Sequence, residues 1–125
     1  MSPPRLRTAL VGAGRIGAGY TNDPATARHF RFATHAQVLA THPALEWRSV
    51  VDISTDARER VRAAWGVPES FQDVSALPRG GLDLIVIATP PTGRLELVRS
   101  LGEVKAIILE KPMAADLAEA RELVD

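Results

Sequence analysis

The apolar run Leu6–Val11 leads straight into Gly12-Ala13-Gly14-Arg15-Ile16-Gly17. A strand-length segment followed at once by G-x-G-x-x-G is the opening of a βαβ unit that grips a dinucleotide, and each glycine in it has a separate role. Gly12 permits the tight turn, Gly14 lets the backbone come close to a diphosphate, and Gly17 lets the next helix pack closely on the strand. The helix that follows would offer free N–H groups and the positive end of its dipole to the phosphates, with Arg15 and Ile16 in the gripping turn. Glycine-rich turns are common, and a plain strand-to-helix turn is the alternative. The strand ending at Val11 is the context that favours a ligand-binding loop.

The rest of the chain alternates in the same way. Strand-length apolar runs are expected at Trp47–Val51, Leu82–Ala88 and Ala106–Leu109, with a short, weak strand near Ser70-Phe71. The Leu82 run is nearly all apolar, as a central strand covered on both faces should be. Asp56 with Glu59 three residues later predicts a capping box, after which Ala57, Val61, Ala64 and Trp65 share a helix face and Gly66 ends it. Leu95, Val98 and Leu101 mark a helix that stops at Gly102. Asp116 with Glu119 predicts another box, followed by the stripe Leu117, Ala120, Val124. This order predicts an α/β fold, a parallel sheet with helical crossovers.

A second chemical signal is Asp52, at the end of Ser49-Val-Val-Asp52. A carboxylate there accepts hydrogen bonds from the ribose hydroxyls of adenosine and repels the 2′-phosphate that distinguishes NADP, so the expected cofactor is NAD, with NADP possible. Arg15, Ser54, Thr55 and Arg58 are the residues that could hold that phosphate instead. A plain helix-capping aspartate is the structural alternative, although Ser54 and Asp56 are better placed to cap. The acid should follow the glycine loop by about 20 residues; here it lies 35 beyond Gly17. An insertion at about 18–34, containing the turn signal Asn22-Asp-Pro24, accounts for the excess. It would interrupt the first helix and let helical pattern resume from His35 to Pro43.

Composition removes several other classes. The 125 residues carry no net charge and no cysteine, so no basic stripe suggests nucleic acid and no disulfide or thiolate metal site is possible. The three histidines are scattered, and no metal site is expected. No apolar run reaches the roughly 18 residues of a membrane span, and Ala9-Leu10-Val11 is too short for an export signal, which leaves a cytoplasmic location as the expectation. The basic residues are thirteen arginines and two lysines, Lys105 and Lys111.

Several motifs in order now resemble one family. They are the glycine loop, His35-Ala36 ahead of Leu39, His42-Pro43 before the second strand and Val50-Val-Asp52. After these come Ala88-Thr89-Pro90-Pro91 and Glu110-Lys111-Pro112. Together they are similar to the N-terminal domain of the Gfo/Idh/MocA oxidoreductases (glucose–fructose oxidoreductase, inositol dehydrogenase), over Leu6 to Val124. The resemblance implies a Rossmann-type, doubly wound parallel sheet binding NAD or NADP. It implies hydride transfer on a sugar, cyclitol or related polyol. It makes Lys111 the catalytic residue of proton transfer, with Glu110 holding its ammonium or capping nearby backbone, and it sets Thr89, Pro90 and, at the nicotinamide end, Glu110 beside the cofactor. A lysine at the carboxyl end of a strand stands where open α/β sheets bind ligands.

Departures from the family pattern shape the remaining expectations. In the insertion, Tyr20, Arg28, His29 and Arg31 either reach the cofactor or substrate or form a surface excursion. Arg94 stands where many members have histidine, and helical spacing puts it on an exposed face with no role. The family's C-terminal α+β substrate domain is lacking from these residues. The chain is therefore expected to be a fragment, a domain completed by another chain, or a cofactor domain put to another use. The rival function is accordingly a non-catalytic dinucleotide-binding or regulatory module, and a weaker one is a degenerate piece that binds nothing. With strand order 3-2-1-4-5 the fifth strand, Ala106–Leu109, is an apolar edge expected to be covered by a partner chain, a second copy or non-native pairing.

Overall fold

A computed structural model describes residues 3–14, 17 and 34–125. Arg15, Ile16 and residues 18–33, and with them the interrupted first helix, Tyr20, Arg28, His29 and Arg31, lie outside the described residues. Five strands form one parallel sheet: β1 (Leu6–Val11), β2 (Leu45–Val51), β3 (Glu69–Phe71), β4 (Leu84–Ile87) and β5 (Ala106–Leu109). Their order is β3-β2-β1-β4-β5, the expected one. The helices are α1 (His35–Thr41), α2 (Thr55–Trp65), α3 (Arg94–Ser100) and α4 (Leu117–Val124), with a 3-10 turn at Val74–Ala76.

Alternation along the strands builds two cores, one on each face of the sheet. Leu10, Val50 and Val86 point to one side, where Ala36 and Leu39 of α1 and Ala57 and Val61 of α2 cover them. Trp47 and Trp65 close that layer with ring centroids 6.4 Å apart at 45°. Ala9, Val11, Val51, Ile85 and Ile87 point to the other side, beneath Val74, Leu97, Val98 and Leu101. The sheet is thus doubly wound, and its middle strand β1 and the two beside it, β2 and β4, carry four buried residues each.

Local chemistry sets the element ends, and some differ from expectation. Ser54, not Asp56, caps α2: its hydroxyl accepts the Ala57 N–H at 3.1 Å, leaving Asp56 in the first turn, where its charge complements the dipole. Gly66 ends that helix in the left-handed region, as expected. Asp116 caps α4 through the Glu119 N–H, but the Glu119 carboxylate accepts from the Leu95 N–H instead of closing a box, tying α4 to α3. Leu117 and Val124 of the expected stripe are 65% and 75% exposed, since no described element covers them. β4 is shorter than the apolar run: Leu82, Asp83 and Ala88 lie outside it, although the Asp83 backbone still bonds to Arg7 and Ala106. β5 is the sheet's edge among the described strands, with Ile108 48% exposed. No helix among the described residues is long and apolar enough to cross a membrane.

Asp83 locks the amino-terminal side of the sheet. Its side chain is 7% exposed and accepts from the Arg7 backbone N–H at 2.8 Å, from Arg7 Nε at 3.1 Å and from Lys105 Nζ at 3.1 Å. The Arg7 guanidinium, the Arg7 N–H and Lys105, in that order, hold the Asp83 carboxyl well below the ordinary carboxylate range. A carboxyl depressed in the folded state stabilises the fold fully above its unfolded pKa, and that contribution is lost as pH falls from there toward the folded pKa. Asp83→Asn is expected to melt below the native chain at pH 7. The gap should narrow only below about pH 4, where the unfolded aspartate protonates. Thermal melts from pH 7 to 3 check this, and a gap that stays constant to pH 3 contradicts it.

Candidate functional site

The register brings all five strands to a common end. Phe71, Val51, Val11, Ile87 and Leu109 stand side by side across the sheet. The next residue along each chain is therefore Gln72, Asp52, Gly12, Ala88 and Glu110. Every one of these lies at the carboxyl edge, and β1 and β4 flank the point where the strand order reverses. Ligands of open α/β sheets bind in the crevice above such a point.

A cleft of about 570 Å³ occupies that place. Its floor and walls include Gly12 and Gly14 after β1, Asp52 and Ile53 after β2, and Gln72 and Asp73 after β3. Ala88, Thr89 and Pro90 after β4 and Gly93, Glu96 and Leu97 of the α3 end complete it. The size suits a ligand pocket. Glu110 and Lys111 are not among its lining; they stand beside it, at the end of β5.

The glycine turn has the geometry its sequence requires. Gly12 has φ 96°, and a Cβ on it would lie 2.9 Å from both Ala88 C and Thr89 N. Its N–H donates to the Val51 carbonyl at 2.7 Å, which clamps the turn onto β2. A Cβ on Gly17 would lie 2.2 Å from the Gly12 carbonyl oxygen. Gly14 is different: a Cβ there would meet nothing within 4 Å among the described residues. Two glycines are thus required by the fold, and the third leaves backbone bare toward open space. That is the cradle a diphosphate needs, so these residues fit a dinucleotide.

Asp52 makes two backbone contacts that the sequence did not suggest. Its Oδ2 accepts the Ala13 N–H and its Oδ1 the Ser54 N–H, both at 2.8 Å. The carboxylate braces the glycine turn and the start of α2, while each oxygen keeps a second lone pair for another donor. Three of the four phosphate candidates, Ser54, Thr55 and Arg58, lie among the described residues. Ser54 Oγ accepts the Ala57 N–H at 3.1 Å, and Arg58 donates to the Asp52 carbonyl at 2.6 Å and to Thr55 Oγ1 at 3.2 Å.

Beyond β5, the Glu110 carboxylate does not hold the Lys111 ammonium. Oε2 accepts from His35 Nε2 at 2.6 Å, and Oε1 accepts the Lys111 backbone N–H at 3.3 Å. The backbone-capping alternative is the one observed. Lys111 is exposed and its ammonium has no hydrogen-bond or ion-pair partner among the described residues; the Lys111–Pro112 peptide is cis.

Arg94 corrects the expectation of an exposed, idle side chain: it is 1% exposed. Its Nη1 donates to the carbonyls of Glu110 and, at 2.8 Å, Pro112, and its Nη2 donates to the Thr89 carbonyl. Burial pushes this guanidinium below its ordinary range, opposed by Glu110 and Glu119. Helical spacing misplaced it because α3 starts at Arg94, where the side chain can swing under the strand-end loops. His35 enters the sequence pattern only as part of a motif. Its link to Glu110, 75 residues away, leaves no trace in local sequence.

Comparison with known proteins agrees with this geometry. Residues 6–125 match the family described as "Oxidoreductase family, NAD-binding Rossmann fold". No curated protein sequence matches the chain. Among solved structures, the chain resembles myo-inositol 2-dehydrogenase from Lactobacillus plantarum, with 20% identity and TM-score 0.69 over 96% of this chain and 32% of that one. It also resembles the WlbA dehydrogenase from Bordetella pertussis in complex with NADH and UDP-GlcNAcA, with 26% identity and TM-score 0.70 over 99% of this chain and 33% of that one. For scyllo-inositol dehydrogenase from Lactobacillus casei with bound NAD(H) and scyllo-inositol the figures are 19% and 0.68, over 94% and 31%. The chain spans about a third of the length of these structures. With the match running from the first strand to the last residue, the chain belongs to the Gfo/Idh/MocA oxidoreductase family and is its NAD-binding Rossmann domain.

Proposed function

We propose that this domain binds NAD in preference to NADP and presents its nicotinamide for hydride transfer on a sugar, cyclitol or related polyol. The observation that carries the reading is the open side of Gly14 facing a cleft bounded by Asp52. The backbone of Gly12, Gly14, Arg15, Ile16 and Gly17 would hold the diphosphate. Asp52 would accept from the adenosine ribose, while Thr89 and Pro90 would line the other half. The bound nicotinamide would supply the hydride acceptor or donor. Lys111 Nζ would take or give the proton of the reacting hydroxyl, and Glu110, fixed by His35, would hold the turn that carries it. The substrate class rests on the family resemblance and on the inositol named with one neighbour.

The choice of NAD follows from charge. A 2′-phosphate beside Asp52 would face a carboxylate, and Arg58 already donates to the Asp52 carbonyl and to Thr55 Oγ1. A hydrogen bond to a charged acceptor is worth about 1.5–3 kcal/mol, so NADH should bind about 10- to 100-fold more tightly than NADPH. Parallel fluorescence titrations at one ionic strength decide it; equal or tighter NADPH binding removes Asp52 as the discriminator. For the chemistry, Lys111→Ala in an enzyme assembled with this domain should lower kcat by about 10²- to 10⁴-fold. An undiminished kcat takes Lys111 out of the reaction.

A further inference from the structure

We infer that Arg94 is a positioning residue for the nicotinamide end of the cleft, joining the loops after β4 and β5 into one rigid wall. The inference rests on the dinucleotide reading above and adds to it. With adenosine at Asp52 and the diphosphate on the β1 turn, the strand order leaves only β4 and β5 beneath the second nucleoside. Those two strand ends are what Arg94 links.

Three observations separate Arg94 from an ordinary loop tie. The side chain is 1% exposed, yet all its hydrogen bonds go to neutral carbonyls. Its Nε is buried with no hydrogen-bond partner among the described residues. A charge taken out of water without a hydrogen-bonded counter-ion, with one donor orphaned, is a poor choice for stability alone, where an apolar side chain of similar size would serve. What the guanidinium provides is shape. Its planar fork reaches Thr89 on one loop and both Glu110 and Pro112 on the other, a set of contacts that a single ammonium cannot span.

The carbonyls it holds bracket the proposed working groups. Thr89 begins the cleft wall, and Glu110 and Pro112 flank Lys111 on either side. His35 grips the same turn from its other end, through the Glu110 carboxylate. The turn is fixed at two points, and the separation between cleft wall and lysine is set before any ligand arrives. Such preorganisation strengthens binding by removing the ordering cost of the site.

The test compares two ligands on the 125-residue chain. ADP-ribose carries the adenosine and diphosphate but no nicotinamide, whereas NADH carries both halves. Arg94→Met should weaken NADH binding by about tenfold and ADP-ribose binding by less than about twofold. Arg94→Lys, which keeps the charge and part of the carbonyl set, should fall between Met and the native residue, and it is read in the same way if the Met variant does not fold. Parallel weakening of both ligands, or of neither, overturns the inference and leaves the dinucleotide reading standing. A native chain that binds neither ligand overturns both.

Discussion

Gly14→Val is expected to abolish NADH binding while leaving the fold intact. A Cβ at Gly14 would meet no atom of the described residues within 4 Å, and the residue does not sit in the left-handed region, so valine enters without a clash against them or backbone strain. Substitutions of that kind usually change stability by about 0.5 kcal/mol or less. The new methyl groups instead occupy the space over the turn where the diphosphate would approach the bare backbone. Losing that approach forfeits several charge-assisted hydrogen bonds together, and a fall in affinity of at least about 100-fold follows. Calorimetric titration with NADH alongside a circular-dichroism melt reads both halves of the prediction. Unchanged affinity would show that the ligand, if any, does not pass over Gly14. A collapsed melting temperature would show that the side of Gly14 is not open.

Much of this site could be read from the sequence because its signals are local. The turn glycines follow a strand that apolar content alone marks. Asp52 follows the next one, and parallel register brings both to the same edge. Not legible was that Asp83, inside the Leu82–Ala88 run, turns its side chain to Arg7 and Lys105, each at least 22 residues away in sequence. Contacts of that range carry no periodicity. The same is true of the two residues that hold the Glu110 turn. His35 lies 75 residues from its partner, and Arg94 lies 16 from Glu110, across a helix and a strand. One clue to Arg94 was nevertheless present. A cation at the first position of a helix opposes the dipole. A residue that breaks a local rule is often retained for a contact made elsewhere. Asp52 was not legible as a brace, since its bonds to the Ala13 and Ser54 N–H groups depend on how two loops meet.

Gly17→Ala should act in the opposite manner to the Gly14 variant, by damaging the fold first. The added Cβ would fall 2.2 Å from the Gly12 carbonyl oxygen, 3.2 Å from Gly12 C and 3.4 Å from Ala13 Cα, all of them backbone atoms. Backbone of this kind does not swing aside as the tip of a long side chain can. The Gly12 turn is held to β2 through the Val51 carbonyl at 2.7 Å, and on its other side it already lies against Ala88 and Thr89. Gly17 is fixed as well, because its carbonyl accepts the Ala36 N–H at 2.8 Å. The clash can be relieved only by separating the turn from the sheet or from α1. Overpacking in a rigid site costs about 3 kcal/mol or more, a large part of the roughly 5–15 kcal/mol that stabilises a domain. For a chain of this length that is a drop in melting temperature of about 10–15 °C. NADH affinity should fall with it, because the donors over the turn lose their alignment. The two variants therefore divide the loop between binding and folding, since Gly14→Val loses ligand and keeps stability, whereas Gly17→Ala loses both. A Gly17→Ala chain that melts with the native protein would mean that Gly17 does not lie as close to the Gly12 backbone as the turn requires, and the diphosphate cradle would lose its geometric basis.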